Sequence, residues 1–433
     1  MDELPGTSME TVERLTYWRK RVFVSLWITY ASFYLCRVNM SIAIPGITEE
    51  YGLTKTAIGA VITALFFAYA VGQFLNGQLG DKFGARRLIT FGAIISGLLN
   101  LLFPFLPPVV SLMALVWGLN GYFQSMGWSP ATKTIANWFP IKMRGKITGI
   151  FGSCYQFGNA ASWALAGFLV GMFGWRAAFW IPGFVFILVA IHWYLRGRDA
   201  PEELGLPTVE DCDAGNMSGQ ERRRDEHLGF RYTIKTVLSH PQIWMVGFSL
   251  FGLNIIRYGF MDWAPTYMFE VEKATISVAA YKALAIPLAG SLGALFAGWA
   301  SDRFFQSRRA PVMVFMLIGL MGLTILYPQL KDYHWIWSLV CLIAIGFTTY
   351  GPHVMICAAI PMDYASRKAA ASAAGFIDGF GYLGASLTGV ISGFLIDRFG
   401  WNAAFYFWVV GVFVAVVLMS IQWNYRPKQG KYH

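Results

Sequence analysis

An all-α membrane protein, with twelve transmembrane helices in two pseudo-symmetric six-helix bundles, is the architecture this sequence predicts. Three observations carry that prediction. About twelve apolar stretches approach or exceed the roughly 20 residues that a spanning helix needs. Basic residues collect in alternate loops between them. Segments of the first half recur in the second at a near-constant offset. Composition agrees: the 433 residues are 56% hydrophobic and only 13% charged, against about 25% charged in a soluble protein.

The stretches run over residues 22–46, 56–80, 88–106, 109–132, 145–170, 175–196, 242–265, 276–300, 310–328, 335–358, 370–396 and 402–422. The net charge of +10 comes largely from Arg19, Lys20 and Arg21; Lys82, Arg86 and Arg87; Lys142, Arg144 and Lys146; Arg222 to Arg224; Arg303, Arg308 and Arg309; Arg367 and Lys368; and Arg426, Lys428 and Lys431. The loops between these groups are poor in Lys and Arg. That is the positive-inside pattern, and it places both termini in the cytoplasm. The basic excess is therefore a topology signal and does not call for nucleic acid. A prokaryotic inner (plasma) membrane and a monomer are expected. The polar start of about 20 residues ends in no small-residue cleavage site, so no cleavable signal is expected. Cys36, Cys154, Cys341 and Cys357 lie in apolar stretches and Cys212 in a polar one. Their spacing fits neither a metal site nor a disulfide framework.

Residues 197–235 hold Pro, Gly, acidic residues and an Arg run. They read as a cytoplasmic linker between an N-terminal bundle, 1–196, and a C-terminal bundle, 236–433. The repeats support this division. Gly77-Gln-Leu-Gly-Asp81-Lys82, with Arg86 and Arg87 beyond, is matched in the second half by Gly298-Trp-Ala-Ser-Asp302-Arg303. Phe173-Gly-Trp-Arg-Ala-Ala-Phe-Trp180 is matched by Phe399-Gly-Trp-Asn-Ala-Ala-Phe-Tyr406. Asp81 and Asp302 are separated by nearly the same length of chain as Phe173 and Phe399, as duplicated halves require. Gly77, Asp81, Arg86, Arg87, Asp302 and Arg303 read as a gating motif that pairs across the two bundles; anchoring of topology by the basic residues alone is the plainer alternative.

The chemistry centres on two arginines inside apolar stretches, Arg37 and Arg257, at corresponding places in the two halves. A guanidinium cannot deprotonate to escape the membrane. At a helix centre it costs about 3 kcal/mol on insertion scales, so it faces a cavity or partner and marks a substrate or ion path. Its planar fork suits phosphate or carboxylate. Tyr30, Tyr34 and Arg37 share one helical face, as do Tyr69 and Gln73, and Asp378 and Tyr382. Tyr155 and Tyr350 join the candidate lining, although packing is the commoner role for any one aromatic. Asp262 and Asp378 are candidates for coupling or charge balance. Asp378 stands among Gly375, Gly379, Gly381 and Gly384, where helices can approach closely. Tyr350-Gly-Pro-His353 reads as a helix break. Nothing in the sequence provides a nucleophile elbow, a phosphate-binding Gly loop with Lys, or a paired-His metal site. An enzyme, a cofactor and ATP-driven movement are thus not expected.

Several segments resemble the major facilitator superfamily, and more narrowly its organophosphate:phosphate antiporters, the family of glycerol-3-phosphate and hexose-phosphate transporters and related sensors. They are Tyr30-Ala-Ser-Phe-Tyr34-Leu-Cys-Arg37, Met126-Gly-Trp128-Ser-Pro130, Arg257-Tyr-Gly-Phe-Met-Asp262-Trp-Ala-Pro-Thr-Tyr267, Tyr350-Gly-Pro352 and Ala374-Gly-Phe-Ile-Asp-Gly-Phe-Gly-Tyr382-Leu-Gly384. The resemblance spans nearly the whole chain. It implies the major facilitator fold, alternating access, and exchange of an organic phosphate for inorganic phosphate. It also implies phosphate binding by Arg37 and Arg257, with Tyr30, Tyr34, Tyr69 and Tyr382 around them, and Trp128 joins the candidate substrate-binding residues.

The family pattern is not fully kept. Val38 and Gln73 stand where lysines are usual, Tyr155 where the glycerol-phosphate type has His, and Asp378 where a small residue is usual. The site thus loses positive and gains negative charge, which points toward a monoanion or a zwitterion. Arg37-Val-Asn39-Met-Ser-Ile-Ala43 also resembles the anion:cation symporters of organic carboxylates, locally. Proton-coupled carboxylate symport and sugar-phosphate sensing are the alternatives.

Overall fold

A computed structural model describes residues 9–208, 241–306, 308–359 and 367–424. Most of the linker, with Cys212 and Arg222 to Arg224, lies outside the described residues, as do the Lys368 side chain and the basic residues after 424. Helices before the linker are α1 (Met9–Phe33), α2 (Asn39–Tyr51), α3 (Lys55–Phe83), α4 (Ala85–Leu102), α5 (Val110–Gln124), α6 (Trp128–Trp138), α7 (Ile141–Phe173) and α8 (Ala177–Arg196). After it come α9 (Pro241–Glu270), α10 (Ile276–Ala283), α11 (Ala285–Phe305), α12 (Arg309–Leu326), α13 (Trp335–Val354), α14 (Arg367–Phe399) and α15 (Trp401–Ile421). Pairs α1–α2, α5–α6 and α10–α11 each form one broken crossing, giving six crossings on each side of the linker.

The breaks have physical causes. Pro130 and Pro287 lack the N–H that would bond the carbonyl four residues back, and the chain breaks at Ser125–Gly127 and at Leu284. The first crossing breaks without a nearby proline. It tightens to a 3-10 turn over Tyr34–Cys36 and turns at Arg37 and Val38. The break expected at Tyr350–His353 is instead continuous helix to Val354, which widens to a π-helix over Met355–Ala359.

Nine helices among the described residues are long and apolar enough to cross a membrane. The stretches 22–46, 109–132 and 145–170 are not among them. Breaks divide the first two, and buried Gln156 and Asn159 make α7 more polar.

The two sets of crossings meet along α3 and α14. A Cβ on Gly389 would lie 2.3 Å from the Gly59 carbonyl oxygen, and one on Gly393 2.2 Å from that of Lys55. Only glycine permits this approach. Thr63 Oγ1 donates to the Ser386 carbonyl (2.6 Å) and accepts from the Val390 N–H (3.0 Å). At the end away from the linker, Asp397 accepts from the Lys55 N–H (3.1 Å), the Thr56 N–H (2.8 Å) and Thr56 Oγ1 (2.6 Å). This carboxylate from one half stabilises a helix N-terminus of the other. Lys55 also pairs with Glu270, and Ser277 Oγ donates to the Gly167 carbonyl (2.8 Å).

Candidate functional site

Arg37 sits where the first crossing breaks, and the break aims its side chain across α3 and α5. Its Nε and Nη2 donate to Gln124 Oε1 at 3.2 and 3.1 Å. Its guanidinium lies over the rings of Tyr34 (4.8 Å) and Tyr69 (4.6 Å). Arg257 occupies the unbroken α9. Its Nη1 meets His353 Nε2 at 3.1 Å, and its guanidinium lies over Tyr258 (4.7 Å) and Tyr350 (5.1 Å). An arginine N–H can only donate, so His353 Nε2 accepts and the imidazole proton is on Nδ1. Desolvated cation–π contacts contribute about 2 kcal/mol each, which offsets part of the cost of burying these charges.

A set of tyrosines joins the two arginines. The Tyr69 and Tyr382 ring centroids are 4.3 Å apart, and those of Tyr258 and Tyr382 5.9 Å apart. Phe66 lies beside them, its ring tilted against that of Tyr258 with centroids 4.5 Å apart. Tyr34 and Tyr382 are electrostatic neighbours of both guanidiniums. Both guanidiniums also act on Asp378.

The sequence leads one to expect arginines facing a hydrated cavity. In this conformation they are covered, at 4% and 5% exposure. Arg37 Nη1 and Arg257 Nε are nevertheless buried with no hydrogen-bond partner. A buried cationic donor left unmade costs more than a neutral one, for which the figure is about 1–3 kcal/mol. Two such donors beside a shared tyrosine cluster suit one anion with several oxygens.

Other expected residues stand at varying remove. Tyr155 packs edge-on to His353, with centroids 6.5 Å apart. Tyr350 donates from its hydroxyl to Met261 Sδ (3.6 Å) while its ring faces Arg257. Tyr30 and Trp128 belong to an aromatic cluster with Phe33 and Phe151, and Tyr30 reaches the arginine through Tyr34. Gln73 accepts from Ser129 Oγ at 3.3 Å. Asp262 is buried, its Oδ2 is unpartnered, and Arg257 is its electrostatic neighbour.

The expected gating residues pair differently here. Of Gly77 and Asp81 only the backbone is described. Arg86 donates from its backbone N–H to Asp199 Oδ1 (2.5 Å) and from Nε to the Tyr194 carbonyl (2.7 Å). Its Nη1 stands 4.0 Å from Glu203. Gly84 allows this at φ +84°, since a Cβ there would meet Asp199 Oδ2 at 2.3 Å. Asp302 pairs with Arg309 at 2.9 Å. Arg87 and Arg303 are exposed. Arg86 thus pairs with the start of the linker and Asp302 with Arg309 of its own half, so neither of these described pairs crosses between the two bundles as expected.

Sequence reasoning missed Gln124 and Tyr258, and named His353 only within a helix break. Signals were present. Gln124 follows Asn120 by one turn in an otherwise apolar stretch. His353 follows Tyr350 by three residues, and Tyr258 adjoins Arg257.

Two buried guanidiniums, one from each set of crossings, mark a membrane protein that keeps fixed positive charge inside the bilayer. Comparison with known proteins agrees with this class. The model of the Major Facilitator Superfamily matches residues 26–389 and 288–431. The chain belongs to the Major Facilitator Superfamily, a family of membrane transporters and not of enzymes. It is 34% identical to the glycerol-3-phosphate transporter of Bacillus subtilis (strain 168), over 94% of this chain and 92% of that one. It is 30% identical to a probable hexose phosphate transport protein of Chlamydia pneumoniae, over 96% and 93%. It is also 30% identical to the membrane sensor protein UhpC of Escherichia coli (strain K12), over 90% and 89%. Among solved structures, a bacterial homologue of the human lysosomal transporter Spinster, inward-facing and unoccupied, superposes with TM-score 0.71. That match has 16% identity and covers 94% and 95% of the two chains; it bears on the fold alone.

Proposed function

We propose that the protein is a secondary active transporter of a small organic anion, an organophosphate or phosphonate, exchanged for inorganic phosphate by alternating access. The carrying observation is the pair of buried guanidiniums, each tied on one edge within its own half and each keeping an unpartnered N–H beside the shared tyrosines. A phosphoryl group can accept from both. Binding then draws the halves together, and rocking about the site exposes it to either side. Tyr30, Tyr34, Tyr69, Gln73, Trp128, Tyr155, Tyr350 and Tyr382 line or back the site in this reading. Asp378 offsets part of its positive charge and favours a monoanion or a substrate with an amine. Similarity to glycerol-3-phosphate and hexose phosphate transporters supports the phosphate class.

The bundles are residues 1–196 and 236–433, joined by a cytoplasmic linker at 197–235. With both termini cytoplasmic in a prokaryotic inner membrane, the contacts of Lys55, Thr56, Glu270 and Asp397 close the outer face. The conformation described is then one closed toward the outside. The gating motif closes the opposite face in the other half of the cycle. The protein works as a monomer.

The test is counterflow in proteoliposomes preloaded with phosphate, screened against phosphates, phosphonates, sulfonates and carboxylates. Phosphate-dependent uptake of an organophosphate or phosphonate is expected. Uptake of a carboxylate that alkalinises the medium, without phosphate counterflow, would establish symport instead. Similarity to UhpC favours a second reading, a sensor, which predicts ligand binding with negligible turnover.

A further inference from the structure

Behind Arg37 lies a group of fully buried polar side chains. Its hydrogen bonds run in one direction. Asn120 Nδ2 donates to the Cys36 carbonyl (2.9 Å), and Ser96 Oγ donates to Asn120 Oδ1 (2.6 Å). Gln124 Nε2 donates to Ser96 Oγ (2.8 Å), and Arg37 Nε and Nη2 donate to Gln124 Oε1. The relay begins at Cys36 and ends at Arg37, so it closes on the helix break itself. Asn100 Nδ2 adds a second donor to the Cys36 carbonyl (3.2 Å), and Asn39 Nδ2 donates to Asn100 Oδ1 (3.0 Å). Asn39, Ser96, Asn100, Asn120 and Gln124 are each 0% exposed.

We infer that Ser96, Asn120 and Gln124 are positioning residues that set which edge of Arg37 meets the substrate. The inference rests on the phosphate reading above. A carboxamide can turn either its oxygen or its nitrogen toward a neighbour. Toward Arg37 only the oxygen is tolerable, because a guanidinium accepts nothing. Ser96 decides the orientation: its proton is spent on Asn120, so its oxygen must accept from Gln124 Nε2. That fixes Gln124 Oε1 on the Nε/Nη2 edge. Nη1, buried and unpartnered, is the donor left for a phosphoryl oxygen. The same relay pins the carbonyl of Cys36, where no proline enforces the break. Polar groups buried in this way are costly if only partly satisfied, so the set acts as a unit.

The test uses the full-length protein in proteoliposomes, with glycerol 3-phosphate and inorganic phosphate as probes. Ser96→Ala and Gln124→Met are expected to raise KM about ten-fold, the effect of losing one charge-assisted hydrogen bond, with the maximal rate changed much less. Gln124→Glu should raise KM further, since its carboxylate would occupy Arg37. A KM within two-fold of the parent for both Ser96→Ala and Gln124→Met overturns the inference. So does a fall in maximal rate and melting temperature at unchanged KM, the mark of a structural role only. If Gln124→Glu fails to fold, Ser96→Ala decides. Failure of the parent protein to take up either probe counts against the phosphate reading instead.

Discussion

Arg37 and Arg257 hold corresponding places in the two halves, yet they are supported by different means. Arg37 stands at a broken helix and rests on an amide, Gln124. Arg257 stands within a continuous 30-residue helix and rests on an imidazole, His353. The repeat therefore sets where each cation lies along its crossing, while the supporting neighbour is specified separately. The difference has a chemical consequence. An amide has no proton to gain in the physiological range, whereas an imidazole that accepts from Arg257 loses that role when protonated. Support of Arg37 thus depends on which way an amide faces, and support of Arg257 on which imidazole nitrogen carries the proton.

Removing the fork from either side should have the largest effect. Arg37→Lys or Arg257→Lys forfeits bidentate donation, and two charge-assisted hydrogen bonds at roughly 1.5–3 kcal/mol each imply a loss of at least about a hundred-fold. Uptake assays check this, and near-normal uptake by either variant would refute the shared clamp. A smaller effect is expected from His353→Gln, which keeps an acceptor but cannot titrate. Its affinity should fall about three-fold to ten-fold, read as KM for uptake, and an unchanged KM would remove His353 from the support of Arg257. Gln124→Met, which keeps no strong acceptor for Arg37, should raise KM more than His353→Gln does; equal effects would erase the contrast between the half-sites.

Asp378→Asn tests the charge balance beside the pair. It should shift preference toward dianionic substrates, read as the ratio of uptake at pH 6 and pH 8, and an unchanged ratio would remove Asp378 from the site. The smallest effect lies outside the membrane core. Arg176 and Trp175 donate to Glu50 at 2.6–2.8 Å and hold its carboxyl at about 2, below its usual 4.5. A lowered carboxyl contributes stability above its unfolded pKa and loses it as pH falls through the folded value. Glu50→Gln should therefore lower the melting temperature slightly at pH 7, and the gap from the parent should close between about pH 4.5 and pH 2. A gap that persists at low pH would show that packing, not charge, is responsible.

Much of this arrangement was legible in the sequence. Twelve crossings followed from apolar length, because a bilayer imposes one requirement on every helix. The arginines and most tyrosines followed from the rarity of charge in such stretches and from helical spacing. The helix breaks were less legible. Pro130 and Pro287 act locally, but the break at Cys36 is held by Asn100 and Asn120, which belong to other crossings far along the chain. No local pattern reveals that. His353 was legible as part of a motif but not as the partner of Arg257, since that contact joins α9 to α13. The pairing of Arg86 with Asp199 and Glu203 was hidden for the same reason. Charge motifs name the participants, and the fold chooses the partners.

The most direct measurement is a structure of the protein with a bound phosphate ester. The account predicts a single phosphoryl group with oxygens about 2.7–2.9 Å from both guanidiniums, one of them on Arg37 Nη1, while Gln124 and His353 keep their present contacts. A phosphoryl group bonded to one arginine alone, or seated away from the Tyr69–Tyr382 cluster, would contradict it.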